Sequence, residues 1–158
     1  MNIKTSLKLV SAIVLSELAG IVGSFFTVSS ITTWYADIIR PTFSPPNWIF
    51  GPVWTTLFAL MGIALFLVWQ KGLAQRDVKI AVALFLAQLI LNVCWSIIFF
   101  GAHNPGGAFV EILFLWIAIL ATIIAFFKIS KLAGYLLVPY IAWVTFAAFL
   151  NYAIWTLN

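Results

Sequence analysis

Long apolar runs alternate with short polar connectors along the whole chain. Each run is about 20 residues long, which is the length that a helix needs to cross a bilayer core of about 30 Å. The shorter, alternating segments of an outer-membrane barrel are absent from the sequence. We therefore predict an all-α integral membrane protein in which five transmembrane helices form a bundle. The predicted helices cover residues 7–28, 48–69, 78–100, 105–127 and 133–157.

The longest polar interruption, WYADIIRPTFSPPNWIFGPVW, runs from Trp34 to Trp54 and joins the first two apolar runs. It holds four of the six prolines and three of the eight tryptophans. Proline fixes its own φ and restricts the residue before it, so extended or turned backbone is predicted here. Asn47 is a suitable N-cap for the second helix. We predict an ordered extracytoplasmic lid loop over residues 29–47 that covers a membrane-buried pocket, within a single domain of residues 1–158.

Composition supports the membrane class, because 65% of the residues are apolar and only 8% are charged. A soluble domain carries about 25% charged residues. The lipid bilayer is the expected partner, and no nucleic acid partner is expected. Cys94 is the single cysteine and His103 the single histidine, which excludes an internal disulfide and a multi-histidine metal site. No metal and no required cofactor are predicted. His103 is interpreted as a solvated loop residue, with a role as a haem-iron ligand as the alternative.

Basic residues are distributed unevenly between the connectors. Arg40 lies alone on the side of the predicted lid, and the other basic residues lie on the side of the N-terminus: Lys4, Lys8, Lys71, Arg76, Lys79, Lys128 and Lys131. Because basic residues are retained in the cytoplasm, we predict a cytoplasmic N-terminus and an extracytoplasmic lid and C-terminus. The expected location is the plasma (inner) membrane of a prokaryote.

Several polar residues interrupt the predicted spans. Glu17 lies about 15 Å along the first helix, and is either a packing residue or a group for proton coupling or ligand contact. Gln88 and Asn92 share one face of the third helix with Trp95, where amides either bond across helices or bind a ligand. Small residues that allow close helix packing, within one chain or between two copies, recur every four positions: Ala12, Ser16, Gly20 and Ser24.

Unusual residues from three spans fall at one depth. At 1.5 Å per residue, Trp54, Asn92 and Ala147 lie about 10 Å below the outer surface. The residues at neighbouring depths are Trp95, Trp143 and Asn151. Aromatic walls with a few polar groups are typical of a small-molecule site, and a small residue such as Ala147 leaves room for a flat guest. The alternative is that the tryptophans belong to the interfacial belts.

The chain resembles the tryptophan-rich sensory protein (TSPO/MBR) family, also called the translocator protein or peripheral benzodiazepine receptor family. The matching segments are WYADIIRPTFSPPNWIFGPVW, LNVCWSIIFFG and LLVPYIAWVTFAAFLNYAIW. The resemblance implies five transmembrane helices, a homodimer, and binding of tetrapyrroles such as protoporphyrin IX and haem. It places Trp54 and Trp143 in light-dependent porphyrin breakdown. It also assigns the following residues to the ligand pocket: Tyr35, Pro45, Asn92, Trp95, Ala147 and Asn151.

Three functions follow from these observations. The leading prediction is a porphyrin receptor or sensor that regulates tetrapyrrole handling or a stress response, with Arg40 pairing with a propionate. The alternatives are a light-dependent porphyrin-degrading enzyme and a transporter of tetrapyrroles or small molecules. Glu17 is the feature that supports transport. Sterol recognition through Tyr152 is not expected, because no basic residue follows it.

Overall fold

A computed structural model describes residues 3–158. Seven α-helices occur in these residues, in chain order α1 to α7: Ile3–Ile31, Trp34–Asp37, Asn47–Trp69, Arg76–Ser96, Pro105–Ile129, Lys131–Leu136 and Val138–Leu157. A π-helical segment, Ile97–Gly101, continues α4 without a break. Within the described part of the chain, five helical stretches are long and apolar enough to cross a membrane. The predicted all-α membrane fold is therefore confirmed.

The five spans form a closed ring. The third helix packs on α1, α1 on α4, α4 on α5, and α5 on α7, while α6 closes the ring against α3. Within the last span, α3 packs against α6 and only slightly against α7, so α3 and α7 stand apart in the half of the bundle that lies toward the segment joining α1 to α3. This separation leaves space inside the bundle beneath the segment that joins α1 to α3.

The apolar core fills the other half of the bundle. Phe85 and Phe126 stack there with ring centroids 5.8 Å apart, and both are fully buried. At Gly62, a Cβ atom would lie 2.5 Å from the Cα atom of Ile13. Only glycine permits this approach of α3 to α1. Of the predicted small residues of α1, Ala12 and Ser16 are fully buried within the monomer and Gly20 packs against Phe58, whereas Ser24 is exposed.

The predicted lid boundaries were wrong at their N-terminal end. Residues 29–31 continue α1, and the short helix α2 follows within the predicted loop. The serine hydroxyls of this stretch find carbonyl partners within α1 and on the neighbouring π-helical segment. Ser29 Oγ donates to the carbonyl of Phe25 at 3.2 Å, and Ser30 Oγ donates across to the carbonyl of Phe100 at 2.8 Å. These bonds let polar residues extend a helix.

Helix ends follow local chemistry with two departures from prediction. Asn104, which directly precedes Pro105, caps α5, because its Oδ1 atom accepts a hydrogen bond from the N–H of Gly107 at 2.9 Å. Asn47 does not cap α3, because it is the first helical residue and its Oδ1 accepts from Arg40 instead. The last predicted span, residues 133–157, is divided into α6 and α7, with Pro139 in the first turn of α7.

Candidate functional site

A cavity of about 350 Å³ lies between the separated halves of α3 and α7. Helices α1 and α4 complete its sides, and α2 covers its end. The lining residues are Gly20, Gly23, Ser24, Thr27, Val28, Ile31, Tyr35, Asn47, Trp48, Phe50, Gly51, Trp54, Phe58, Asn92, Trp95, Ser96, Phe99, Phe100, Trp143, Ala147, Leu150, Asn151 and Ile154. None of these described residues carries a charge, so the cavity suits an apolar or aromatic guest.

Three tryptophans form walls of the cavity, one from each of three helices. Trp54 on α3 stacks on Phe58 with ring centroids 5.5 Å apart. Trp95 on α4 stacks on Phe99 at 5.0 Å. Trp143 on α7 is half-buried, and its Nε1 atom is enclosed without a hydrogen-bond partner among residues 3–158. The aromatic neighbours hold the indole planes in place, so the walls are preformed.

Below the cavity, Tyr140 links two amides on α4. The buried Tyr140 hydroxyl donates to Gln88 Oε1 at 2.8 Å and accepts from Asn92 Nδ2 at 3.1 Å. Asn92 therefore uses its amide N–H toward Tyr140, which leaves Oδ1 as an acceptor at the cavity wall. The predicted bonding of these amides across helices is confirmed, since Tyr140 on α7 pairs with Gln88 and Asn92 on α4. Their binding of a ligand stays a prediction.

A second polar link fixes the wall that Trp95 forms. Trp95 Nε1 donates to Asn151 Oδ1 at 2.9 Å, and Asn151 Nδ2 donates to the carbonyl of Pro105 at 2.7 Å. Asn151 is 1% exposed. Because its two hydrogen bonds join α4, α5 and α7, the Trp95 ring is held in one orientation. Asn151 thus acts on the shape of the cavity while its polar atoms are used within the protein.

Side chains fasten the covering segment, which is the segment that joins α1 to α3, to the rest of the bundle. Tyr35 is 4% exposed and packs edge-on against Phe100, with ring centroids 5.5 Å apart. The guanidinium of Arg40 lies 5.3 Å from the Tyr35 ring centroid and donates to Asn47 Oδ1 at 3.1 Å. His103, interpreted from sequence as a solvated residue, stacks on Trp34 with centroids 4.5 Å apart. The exposed Arg40 contacts residues of the cavity roof without lining the cavity itself.

The structure brings most of the predicted ligand-binding residues to one cavity. Those that line it are Tyr35, Trp54, Asn92, Trp95, Trp143, Ala147 and Asn151. Arg40 and Pro45 do not line it. Arg40 is engaged with Asn47, and Pro45 belongs to the extended segment before α3. The residue depths estimated from helical rise thus place Trp54, Asn92 and Ala147 in the same cavity.

Several lining residues were missed, although helical spacing offered a signal for some. Phe50 and Phe58 lie four residues before and after Trp54, and Leu150 lies three residues after Ala147. Phe100 gave no such signal. The π-helical segment inserts additional backbone within each turn, which lets the adjacent Phe99 and Phe100 both reach the cavity.

The two carboxyl groups inside spans lie outside the cavity. Glu17 is half-buried, does not line the cavity, and makes no hydrogen bond or ion pair within residues 3–158. Glu111 on α5 is 9% exposed, and both of its carboxyl oxygens lack a partner in the same described residues. Neither carboxyl group lines the cavity, and the predicted role of Glu17 in proton coupling stays a prediction.

A shallow apolar groove between α5 and α7 has a similar volume of about 350 Å³. Its lining residues are Phe109, Leu113, Trp116, Thr145, Ala148, Phe149 and Tyr152. Trp116 Nε1 donates to Thr145 Oγ1 at 2.8 Å, so the polar atoms at its base are paired with each other. The groove presents an apolar face to the outside of the bundle.

Comparison with known proteins places these features in context. The model of the TspO/MBR family matches residues 12–156. The chain is 48% identical to the Tryptophan-rich protein TspO of Archaeoglobus fulgidus, over 96% of this chain and 97% of that protein. It is 42% identical to the Translocator protein of Homo sapiens, over 87% and 82% of the two chains. It is 37% identical to the Tryptophan-rich sensory protein of Cereibacter sphaeroides, over 79% and 77%.

Proposed function

Since the chain belongs to the TspO/MBR family, we propose that it is a porphyrin receptor. Membership of this family supports a membrane receptor or sensor role. The proposed ligand is protoporphyrin IX or haem, and the proposed consequence of binding is regulation of tetrapyrrole handling or of a stress response. The observation that carries the proposal is the convergence of Trp54, Trp95 and Trp143, from three helices, on one uncharged cavity. Indole faces stack on flat π-systems in offset or edge-on arrangements.

The size of the cavity supports partial enclosure of the macrocycle. Its volume of about 350 Å³ lies at the lower end of the range of about 300–1,000 Å³ for ligand sites. Because the lining lacks charge, the carboxylate edge of a porphyrin belongs outside the cavity. Arg40 lies just beyond the roof, and guanidinium groups bind carboxylates in a bidentate manner. To pair with a propionate, Arg40 exchanges its bond to Asn47 for the stronger charged one.

One polar atom is available to the inner edge of a ligand. Asn92 lines the cavity and donates its Nδ2 to Tyr140, which leaves Oδ1 as an acceptor at the wall. We assign Asn92 to this polar contact, Trp143 to stacking on the ring, and Ala147 to the space for the ring itself.

Replacing each of two alanines on α7 by phenylalanine tests the proposal. Ala147→Phe fills the cavity, whereas Ala142→Phe adds the same bulk at an exposed position on the same helix. Overpacking costs about 1–3 kcal/mol, so Ala147→Phe is expected to weaken binding roughly tenfold or more. The measurement is tryptophan quenching during titration with protoporphyrin IX. Equal affinities for both variants, or wild-type protein without quenching, would refute porphyrin binding in this cavity.

Light-dependent porphyrin degradation is the second candidate function, favoured because Trp54 on α3 and Trp143 on α7 line the same cavity. In this reaction an excited macrocycle accepts one electron from an indole, which leaves a macrocycle radical anion and a tryptophan radical cation. Dissolved dioxygen is the co-reactant for the later ring opening. Pigment loss under illumination is compared between wild type, Trp54→Phe and Trp143→Phe. Unchanged loss in both variants removes these residues from the reaction.

Other sequence predictions remain proposals. A homodimer follows from the resemblance, and its measurement is the mass of the protein in a defined lipid particle. The cytoplasmic N-terminus follows from Arg40 and the basic residues opposite it, and reporter fusions at both termini test it. Transport rests on Glu17, which lies away from the cavity, and flux in vesicles carrying Glu17→Gln tests it.

A further inference from the structure

The segment over the cavity is held closed at two separate places. The side chain of Asn158 pairs with both backbone groups of Ile39, accepting from the N–H at 2.9 Å and donating to the carbonyl at 3.0 Å. At the other end of the segment, the Trp34 and His103 rings stack almost in parallel, with an angle of 9° between their planes. Together these contacts tie the covering segment to the end of α7 and to the loop after α4.

The sides of the cavity are not equally closed. Its exposed lining residues all lie on facing stretches of α1 and α3, and they are Ser24, Val28, Trp48 and Gly51. Val28 is 67% exposed and Trp48 is 73% exposed. A Cβ atom at Gly51 would meet no atom within 4 Å. The described lining residues from α2, α4 and α7 are all buried or half-buried. The cavity therefore opens sideways, between α1 and α3.

The opening lies at the depth of the lipid headgroups and the adjoining acyl chains. Helix α1 has 29 residues and is about 43 Å long, which exceeds the bilayer core of about 30 Å. Ser24 and Val28 lie within about 10 Å of its end at Ile31. Exposed tryptophans such as Trp48 are typical of this interfacial layer. Amphipathic molecules rest at this depth with their polar ends toward water.

We propose that the cavity is loaded sideways from the bilayer, through the opening between α1 and α3, while the covering segment stays fastened. The inference rests on the proposed porphyrin binding and adds its route. The ligands that suit this route are flat amphiphiles dissolved in the membrane. Their apolar edge passes between Val28 and Gly51, and their carboxylates stay at the interface. This explains how an uncharged cavity accommodates a dicarboxylate.

Binding kinetics in lipid nanodiscs test the route, with protoporphyrin IX as the probe and stopped-flow tryptophan quenching as the signal. Gly51→Phe and Val28→Trp each narrow the opening, from α3 and from α1. Both are expected to slow association and dissociation together, by at least about fivefold. The control Val22→Phe adds bulk to an exposed position of α1 outside the cavity and leaves both rates unchanged. Asn158→Ala releases Ile39 from α7 and also leaves association unchanged.

The outcomes separate the route from the function. Normal rates in both narrowing variants overturn sideways loading, and so does faster association in Asn158→Ala, because the covering segment is then the way in. Weaker binding caused only by faster dissociation also overturns it, since the new side chain then disturbs the bound state. If wild-type protein shows no quenching at equilibrium, porphyrin binding and its route fall together. If wild-type protein shows quenching at equilibrium and both narrowing variants keep its association and dissociation rates, the route is refuted and porphyrin binding stands.

Discussion

Replacing Tyr140 by phenylalanine is expected to destabilise the protein by removing one oxygen atom. That oxygen links Gln88 and Asn92 through bonds of 2.8 and 3.1 Å, and the tyrosine is 1% exposed. Phenylalanine retains the ring, including its edge contact with Trp54 at 6.2 Å. The change therefore isolates the hydroxyl group, and its effect measures what the polar chain contributes.

The size of the destabilisation follows from the loss of two hydrogen bonds, which leaves two buried polar atoms unpaired. Hydrogen bonds between membrane helices contribute about 0.6 kcal/mol each on average, with a maximum of about 1.7 kcal/mol. Leaving a buried polar group unpaired costs about 1–3 kcal/mol. Gln88 Oε1 and Asn92 Nδ2 both lose their partner in the variant. Because side chains relax in part, we expect a loss of about 2 kcal/mol in the free energy of unfolding.

Unfolding in mixed micelles, by titration of a denaturing detergent into a mild one, measures this loss. Tyr152→Phe is the matched control, because Tyr152 lies on the same helix, is 48% exposed, and makes ring contacts that phenylalanine retains. A double variant with Gln88→Leu is expected to lose less than the sum of the two single changes. If Tyr140→Phe is as stable as Tyr152→Phe, the polar chain contributes nothing to the fold and the reasoning is refuted.

Two further changes test packing and capping. Gly62→Leu is expected to abolish the peak of folded protein in gel filtration, because the new Cβ atom would lie 2.5 Å from the Cα atom of Ile13. Gly51→Leu is expected to retain that peak, because a Cβ atom at Gly51 meets no atom within 4 Å. Equal recoveries of the two variants would contradict the close approach of α1 and α3. Asn104→Ala is expected to lose about 1 kcal/mol in the same unfolding titration, because α5 loses its N-cap, while Asn104→Asp keeps the acceptor. Equal losses in both Asn104 variants would contradict the capping bond to Gly107.

The fold follows from the sequence because hydrophobic run length decides it. A helix is the only way for a single apolar run to satisfy its backbone in lipid. Local chemistry then sets the ends, and Asn104 before Pro105 predicts the start of α5 correctly. Asn47 fails as a cap because a partner distant in space, Arg40, takes its side-chain oxygen. The end of α1 was placed too early, because serine hydroxyls can bond to a helix as well as to water.

The site is only partly readable from sequence. Constant helical rise places Trp54, Asn92 and Ala147 at one depth, and the structure brings them to one cavity. Side-chain pairing across helices is not encoded in spacing, so the Tyr140 link to Asn92 was not predicted. The π-helical segment that brings Phe100 to the wall changes the periodicity itself. Such a change has no composition signal in a uniformly apolar run.

The structure of the protein saturated with protoporphyrin IX in a lipid nanodisc tests the central claim most directly. The account predicts macrocycle density between Trp54 and Trp143, with the ring beside Ala147 and the propionates directed toward Arg40 and the interface. Density confined to the groove between α5 and α7, or an empty cavity at saturating porphyrin, would contradict it.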